Sequence, residues 1–211
     1  MSFIRLSNLS LKIKQETDLQ LNVTMDTFKD FPNEFFINKN FYCKKINNKT
    51  SIKNYAKNLC KFRNYFKDYF VNTKEVTIKS TENYLNGIKK NKKKIMYLLY
   101  FKNKIIGQYG VHEWDNGFIS LDGALRISRE GRNDLFYKIQ KKILYFLKKK
   151  IPLCLPVILC HKKNSSANKL HKKFNFRKIK KNSKLKFFEN YIKSKKNVIN
   201  NFYIKELQFS K

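Results

Sequence analysis

Apolar residues at Ile52, Tyr55, Leu59, Phe62, Phe66 and Tyr69 recur every three or four positions, which predicts a helix over 51–70. A second helix is predicted over "TIKSTENYLNGIKKN", capped by Ser80 or Thr81 and packing through Tyr84, Leu85 and Ile88. The period then changes. "KIMYLLYF" and "KIIGQYGVHEW" read as strands around a Lys-Asn turn, and "DNG" at 115–117 is a two-residue hairpin signal before the strand "FISLDGALRI". The polar turn "SREGRND" leads into a helix over 135–150, with Phe136, Ile139, Ile143 and Leu147 on its buried face. "LCLPVILC" is a buried strand, "NSSANKLHKKF" a short helix with Ala167, Leu170 and Phe174 inward, and "FRKI" and "NNFYIKELQF" are further strands. Upstream, "FYCKKI" (41–46) is a short strand candidate and "LQLNVTM" alternates like a strand, while the rest of 1–37 carries no clear pattern.

This order predicts one α/β (α+β) domain over 41–211, preceded by an N-terminal extension over 1–40, packed or partly ordered. Its core is a mixed, mostly antiparallel sheet with helices on both faces.

Charge changes the picture less than its size suggests. The formal net charge is +32 over 211 residues. Lysine neutralises phosphate, so nucleic-acid binding is one reading. However, Lys, Asn, Ile, Phe and Tyr are abundant together, as AT-rich coding would produce, and Arg is confined to six positions. Arg supplies the bidentate fork suited to phosphate. No aromatic-basic recognition motif is present, which argues against a nucleic-acid partner. The longest apolar run, "IMYLLYF", is too short to span a membrane. The first residues lack a secretory pattern, and four cysteines at non-metal spacings point to a reducing cytoplasm.

Five of the six glycines lie between 107 and 131. Glu113, Asp115, Asp122, Glu130, Asp134, three of the six arginines and the only Trp, Trp114, gather in or beside the same window. Residues that the composition disfavours elsewhere are concentrated there, which marks it as the centre of function.

The register Asn164, Ala167, Leu170, His171, Lys173, Asn175, Phe176 resembles a strand–helix unit of the GCN5-related N-acetyltransferase superfamily. That unit carries an Asn, an Ala three on, and Leu-Tyr-x-Lys-x-Gly-Phe. Asn164 suits the cap, and Asn175 stands in for Gly at a left-handed helix end. "SREGRNDLF" resembles the superfamily's cofactor loop, with Gly131 retained and Asn133 or Asp134 where a small residue is usual. "LDGALR" and the Arg63–Asn64 pair resemble a branch acting on small molecules, including amino sugars.

The resemblance implies an acyl-CoA N-acyltransferase fold and transfer of acetyl from acetyl-coenzyme A to a primary amine of a small molecule, such as an amino sugar or nucleotide-linked amino sugar. The protein would act as a monomer or homodimer, without a metal. Arg126, Arg129, Gly131, Arg132, Asn133, Asp134 and Asn164 would hold the cofactor; Arg63, Asn64 and Trp114 would hold the acceptor. Glu113 or Asp122 would take the amine proton, with Glu113 slightly preferred, and His171 would protonate the leaving thiolate from the position of the family's Tyr. The competing readings are a basic nucleic-acid-binding protein on the same fold and a protein or peptide N-acetyltransferase.

Overall fold

The computed structural model describes residues 28–70, 72–114, 118–128, 134–152, 154–179 and 202–207. The alternating segment 19–25, the turn at 115–117 and the loop 129–133 lie outside them. The described strands are β1 (Glu34–Asn38), β2 (Phe41–Lys45), β3 (Lys94–Phe101), β4 (Lys104–Glu113), β5 (Phe118–Arg126), β6 (Leu155–His161), β7 (Phe176–Lys178) and β8 (Phe202–Leu207). The helices are α1 (Lys53–Tyr65), α2 (Ile78–Lys90), α3 (Leu135–Lys150) and α4 (Ser165–Lys173). One sheet holds all the strands in the order β1-β2-β3-β4-β5-β6-β8-β7, antiparallel except at the parallel β5–β6 pair.

Two cores sandwich this sheet. On one face, Ile95, Tyr97 and Leu99 of β3 and Ile119 and Leu121 of β5 meet Leu135, Ile139, Ile143 and Leu147 of α3. On the other, Met96, Leu98 and Leu125 meet Tyr55, Ala56 and Leu59 of α1 and Leu85 and Ile88 of α2. The period-2 alternation along β3 sends successive side chains to opposite helical layers, so the run reads as continuously apolar.

Several expectations are refined. The 51–70 helix ends at Tyr65 and continues as a 3-10 turn over Lys67–Tyr69. Helix α2 is capped neither by Ser80 nor by Thr81. Thr77 accepts from the Ser80 amide at 3.0 Å while the Ser80 hydroxyl accepts from the Thr77 amide at 2.9 Å, a reciprocal capping box. On α4, Ala167 and Phe174 pack against the core, but the helix's buried residue is His171 rather than Leu170. The sheet also begins before residue 41. β1 pairs with β2, and Phe28 and Phe31 enter the α3-side core. The turn at Lys102 and Asn103 has φ of 45° and 65°, the left-handed pair of a tight hairpin.

Candidate active site

The parallel pair organises the site. β5 and β6 are in register only at Phe118–Leu155, Ile119–Pro156 and Ser120–Val157. Beyond Ser120 the two strands have no further paired rungs, so residues 121–126 and 158–161 part in the middle of the sheet. Helix α3 is the next element after β5, beyond residues 127–134, and helix α4 the next after β6, beyond residues 162–164, so each helix N-terminus follows the carboxyl end of one of these strands. In sheets of this kind, a crevice outside the carboxyl ends of parallel strands is where ligands bind, and helix N-termini there favour anions.

Asn164 caps α4 as expected, its Oδ1 accepting from the Ala167 amide at 3.0 Å. Asn175 has φ of 60°, the left-handed helix end that the sequence implied. Asp134 stands at the start of α3 without capping it through its side chain. Its carboxylate instead lies 2.9 Å from Lys138 Nζ, which offsets its charge beside the helix amides. Arg126 donates from Nε to the Ser128 carbonyl at 2.6 Å. Arg129, Gly131, Arg132 and Asn133 lie outside the described residues.

The two proposed bases separate. Glu113 is 5% exposed, shares the α3 face with Val111, and pairs with Ile119 at the closed end of the β5–β6 pair. Asp122 lies just past the last paired rung on the opposite, α2-side face, where Lys94 Nζ approaches it at 2.8 Å. Burial acts to raise the Asp122 carboxyl, but the Lys94 ammonium, His112 and a backbone hydrogen bond with Gly123 outweigh it and hold it below its ordinary value. For Lys94, burial acts to lower the ammonium and is overcome by Asp122 and Tyr84, so it stays protonated. Trp114 donates from Nε1 to Ser120 Oγ at 3.0 Å, and its ring centroid lies 4.4 Å from that of His112.

The backbone packs closely beside this cluster. Gly110 is paired with Asp122, and a Cβ on it would lie 2.8 Å from the Asp122 carbonyl oxygen. One rung on, the β4–β5 register shifts around Gly123, whose φ of 62° a side chain would strain. Gln108 fixes the shift by donating to the Gly123 carbonyl at 2.9 Å while accepting from the buried Tyr55 hydroxyl at 2.6 Å.

His171 is 9% exposed, with its ring 6.0 Å from Phe176. Burial, aided by the Lys205 ammonium, pushes its imidazole down to about 4. At neutral pH it is therefore a neutral donor or acceptor, not an imidazolium acid. Arg63 and Asn64 are engaged by their own chain. Arg63 donates to the Asn72 carbonyl and stacks over Phe70 at 4.1 Å, while Asn64 bonds the Val76 amide and carbonyl at 2.8 and 2.9 Å. Together they hold the α1–α2 connection, whose Tyr69 ring reaches His161 at the end of β6, with centroids 5.4 Å apart. Sequence reasoning missed Lys94, Tyr84 and His112. The glycine cluster was the available signal, because Gly110 and Gly123 form the floor beside them.

Solved N-acetyltransferases are similar to this chain in fold, a mixed sheet with helices on both faces. The ribosomal alpha-N-protein acetyltransferase RimL, in an apo crystal form, superposes with a TM-score of 0.58 at 10% identity, covering 82% of this chain and 91% of its own. The Campylobacter jejuni N-acetyltransferase PseH in complex with acetyl coenzyme A gives 0.53 at 14% identity over 81% of this chain and 99% of its own. A GCN5-related N-acetyltransferase from Brucella melitensis gives 0.54 at 13% identity over 71% and 70%. No protein-family model and no curated protein sequence matches the chain. Among the described residues no group of His, Cys, Asp or Glu is placed to hold a metal ion, and no helix is long and apolar enough to cross a membrane.

Proposed function

We propose that the chain transfers an acetyl group from acetyl-coenzyme A to a primary amine of a small molecule. The observation that carries this reading is the parting of β5 and β6 after Ser120–Val157, with a helix N-terminus following the carboxyl end of each strand. The group fits there. The amides opening α3 and α4 suit a diphosphate, and the one described carboxylate at the α3 start is paired with Lys138. Arg126, Arg129, Gly131, Arg132, Asn133, Asp134 and Asn164 are proposed to hold the cofactor, which supplies an activated thioester when bound. RimL and PseH are described in complex with coenzyme A and acetyl coenzyme A, which supports this assignment.

The acceptor enters from the α2 side, where Asp122, Lys94, Trp114 and the α1–α2 connection lie. Arg63 and Asn64 act there by shaping that connection. Glu113 serves the closed end of the sheet, so Asp122 is the carboxylate placed beside the incoming amine. A face that carries Lys94, on a chain of net charge +32, suits a neutral or anionic amine such as an amino sugar or its nucleotide-linked form. It suits a basic peptide less well. The likeness to RimL favours a second reading, transfer to a protein N-terminus.

A transfer screen that reads released thiol, with amino sugars and nucleotide-linked amino sugars beside N-terminal peptides, tests both. Turnover of a small amine supports the proposal. Turnover of peptides alone selects the second reading, and no amine-dependent thiol release with any member of either set rejects both.

A further inference from the structure

We infer that His112 is the group that takes the proton from the acceptor amine, with Asp122 and Lys94 setting its orientation and charge balance; this rests on the acetyltransferase reading above. His112 is half-buried and sits on β4 directly across from Lys94 on β3 and Ser120 on β5. Cross-strand partners point to the same face, so all three side chains lie on the α2 side. Asp122 is the diagonal neighbour of His112 on that face, opposite Gly110. Gly110, two residues before His112 on β4 and opposite Asp122, adds no side chain to the face that Asp122 and His112 share.

The other groups facing this point are poor proton acceptors. Lys94, from β3, stays protonated beside Asp122. Asp122, from β5, is held ionised by Lys94 and is therefore a weak base toward an ammonium. Tyr84, from α2, places its ring 5.4 Å from Lys94 Nζ and supports that cation. Glu113 and His171 lie on the α3 side of the sheet. An imidazole has an ordinary range that brackets neutrality, and of the two on the α2 face His161 ends β6 against Tyr69 while His112 is the diagonal neighbour of Asp122. The Trp114 ring at 4.4 Å limits how the imidazole can turn.

The proton balance is simple. The ammonium of the acceptor gives one proton to His112, directly or through one water, and the freed lone pair attacks the thioester carbonyl. The C–N bond forms and the C–S bond breaks, with the electron pair leaving on sulfur. The second N–H proton passes to that thiolate, and His112 returns its own proton to solvent.

Three measurements on the full chain test the inference and separate it from the reading beneath it. Calorimetric binding of coenzyme A tests the reading alone, since H112Q, altered on the acceptor face, is expected to bind within about twofold of the wild type. Absence of coenzyme A binding in the wild type overturns the reading and the inference with it.

Transfer to glucosamine, followed as kcat/KM against pH, tests the role. H112Q is expected to lose about 10²–10⁴-fold near pH 7 and to lose the bend near neutrality, with the deficit shrinking at higher pH as the amine deprotonates unaided. An H112Q profile that keeps the wild-type bend, or a loss under about threefold, overturns the role; H112N is the second variant should H112Q misfold.

If glucosamine is not turned over, the imidazole titration read by NMR decides. The chain has only three His, so the His112 resonance is assigned by its loss in H112Q. D122N is expected to lower its midpoint by about one unit, tenfold in proton affinity, and K94M to raise it. A midpoint that neither change moves overturns the inference.

Discussion

Replacing His171 with Gln should change how stability depends on pH more than it changes stability at pH 7. His171 is 9% exposed and its imidazole is pushed down to about 4 by burial, with Lys205 adding to the effect. In the unfolded chain it returns to about 6.5. The folded value is the lower one, so the unfolded state binds the proton more readily. The stability that neutral His171 contributes is complete above about pH 6.5 and drains away as pH falls toward about 4. At pH 5 the unfolded imidazole is protonated by roughly 30 to 1 while the folded one is about 10 to 1 neutral. The resulting loss between pH 7 and pH 5 is about 2 kcal/mol. Carboxylates common to both proteins cancel in the comparison. Urea unfolding of wild type and H171Q at the two pH values reads it directly. The wild type should lose about 2 kcal/mol more than the variant. Parallel losses, within about 0.5 kcal/mol, would refute the buried neutral state and restore an imidazolium acid.

Two alanine substitutions should act with opposite sign in the same urea assay. Gly110→Ala places a Cβ 2.8 Å from the Asp122 carbonyl oxygen, forcing β4 and β5 apart at a cost of about 1–3 kcal/mol. Gly87→Ala, inside α2 with nothing within 4 Å of the new carbon, should stabilise by about 0.5–1 kcal/mol. Asn164→Ala removes the cap of α4 and should cost about 1 kcal/mol by urea, with weaker coenzyme A binding by calorimetry. All four cysteines are buried thiols, and burial pushes Cys154 up to about 12 and raises Cys43 and Cys160 as well. A disulfide exchange reagent at pH 8 should therefore label none of those three quickly in the native protein and all four in urea.

Much of this fold was legible because each element carries its own period. The continuous apolar run that ends at Phe101 and the three-and-four spacing from Leu135 need no partner to be read. β1 escaped because its pattern is only five residues long. Its assignment depends on pairing with β2 and on Phe28 and Phe31 reaching α3, and both are tertiary facts. Asn164 and Asn175 were readable because cap and helix-end roles are local. The slight preference for Glu113 over Asp122 rested on its sequence neighbours, and only the register with β6 shows which of them borders the parting of the sheet. Lys94 could not be picked out among so many lysines. His112, read along the chain, is one polar residue at a strand end. Its neighbours come from β3, β5 and α2, which no spacing along β4 encodes.

The central claim is that the opening between β5 and β6 holds the diphosphate of coenzyme A at the start of α3. Thermal unfolding of the full chain over a coenzyme A titration tests it most directly. Binding to the folded state alone should raise stability as RT ln(1+[L]/Kd), about 2.7 kcal/mol at one hundred times Kd, with a visible rise in Tm. An unchanged Tm at millimolar coenzyme A would contradict it.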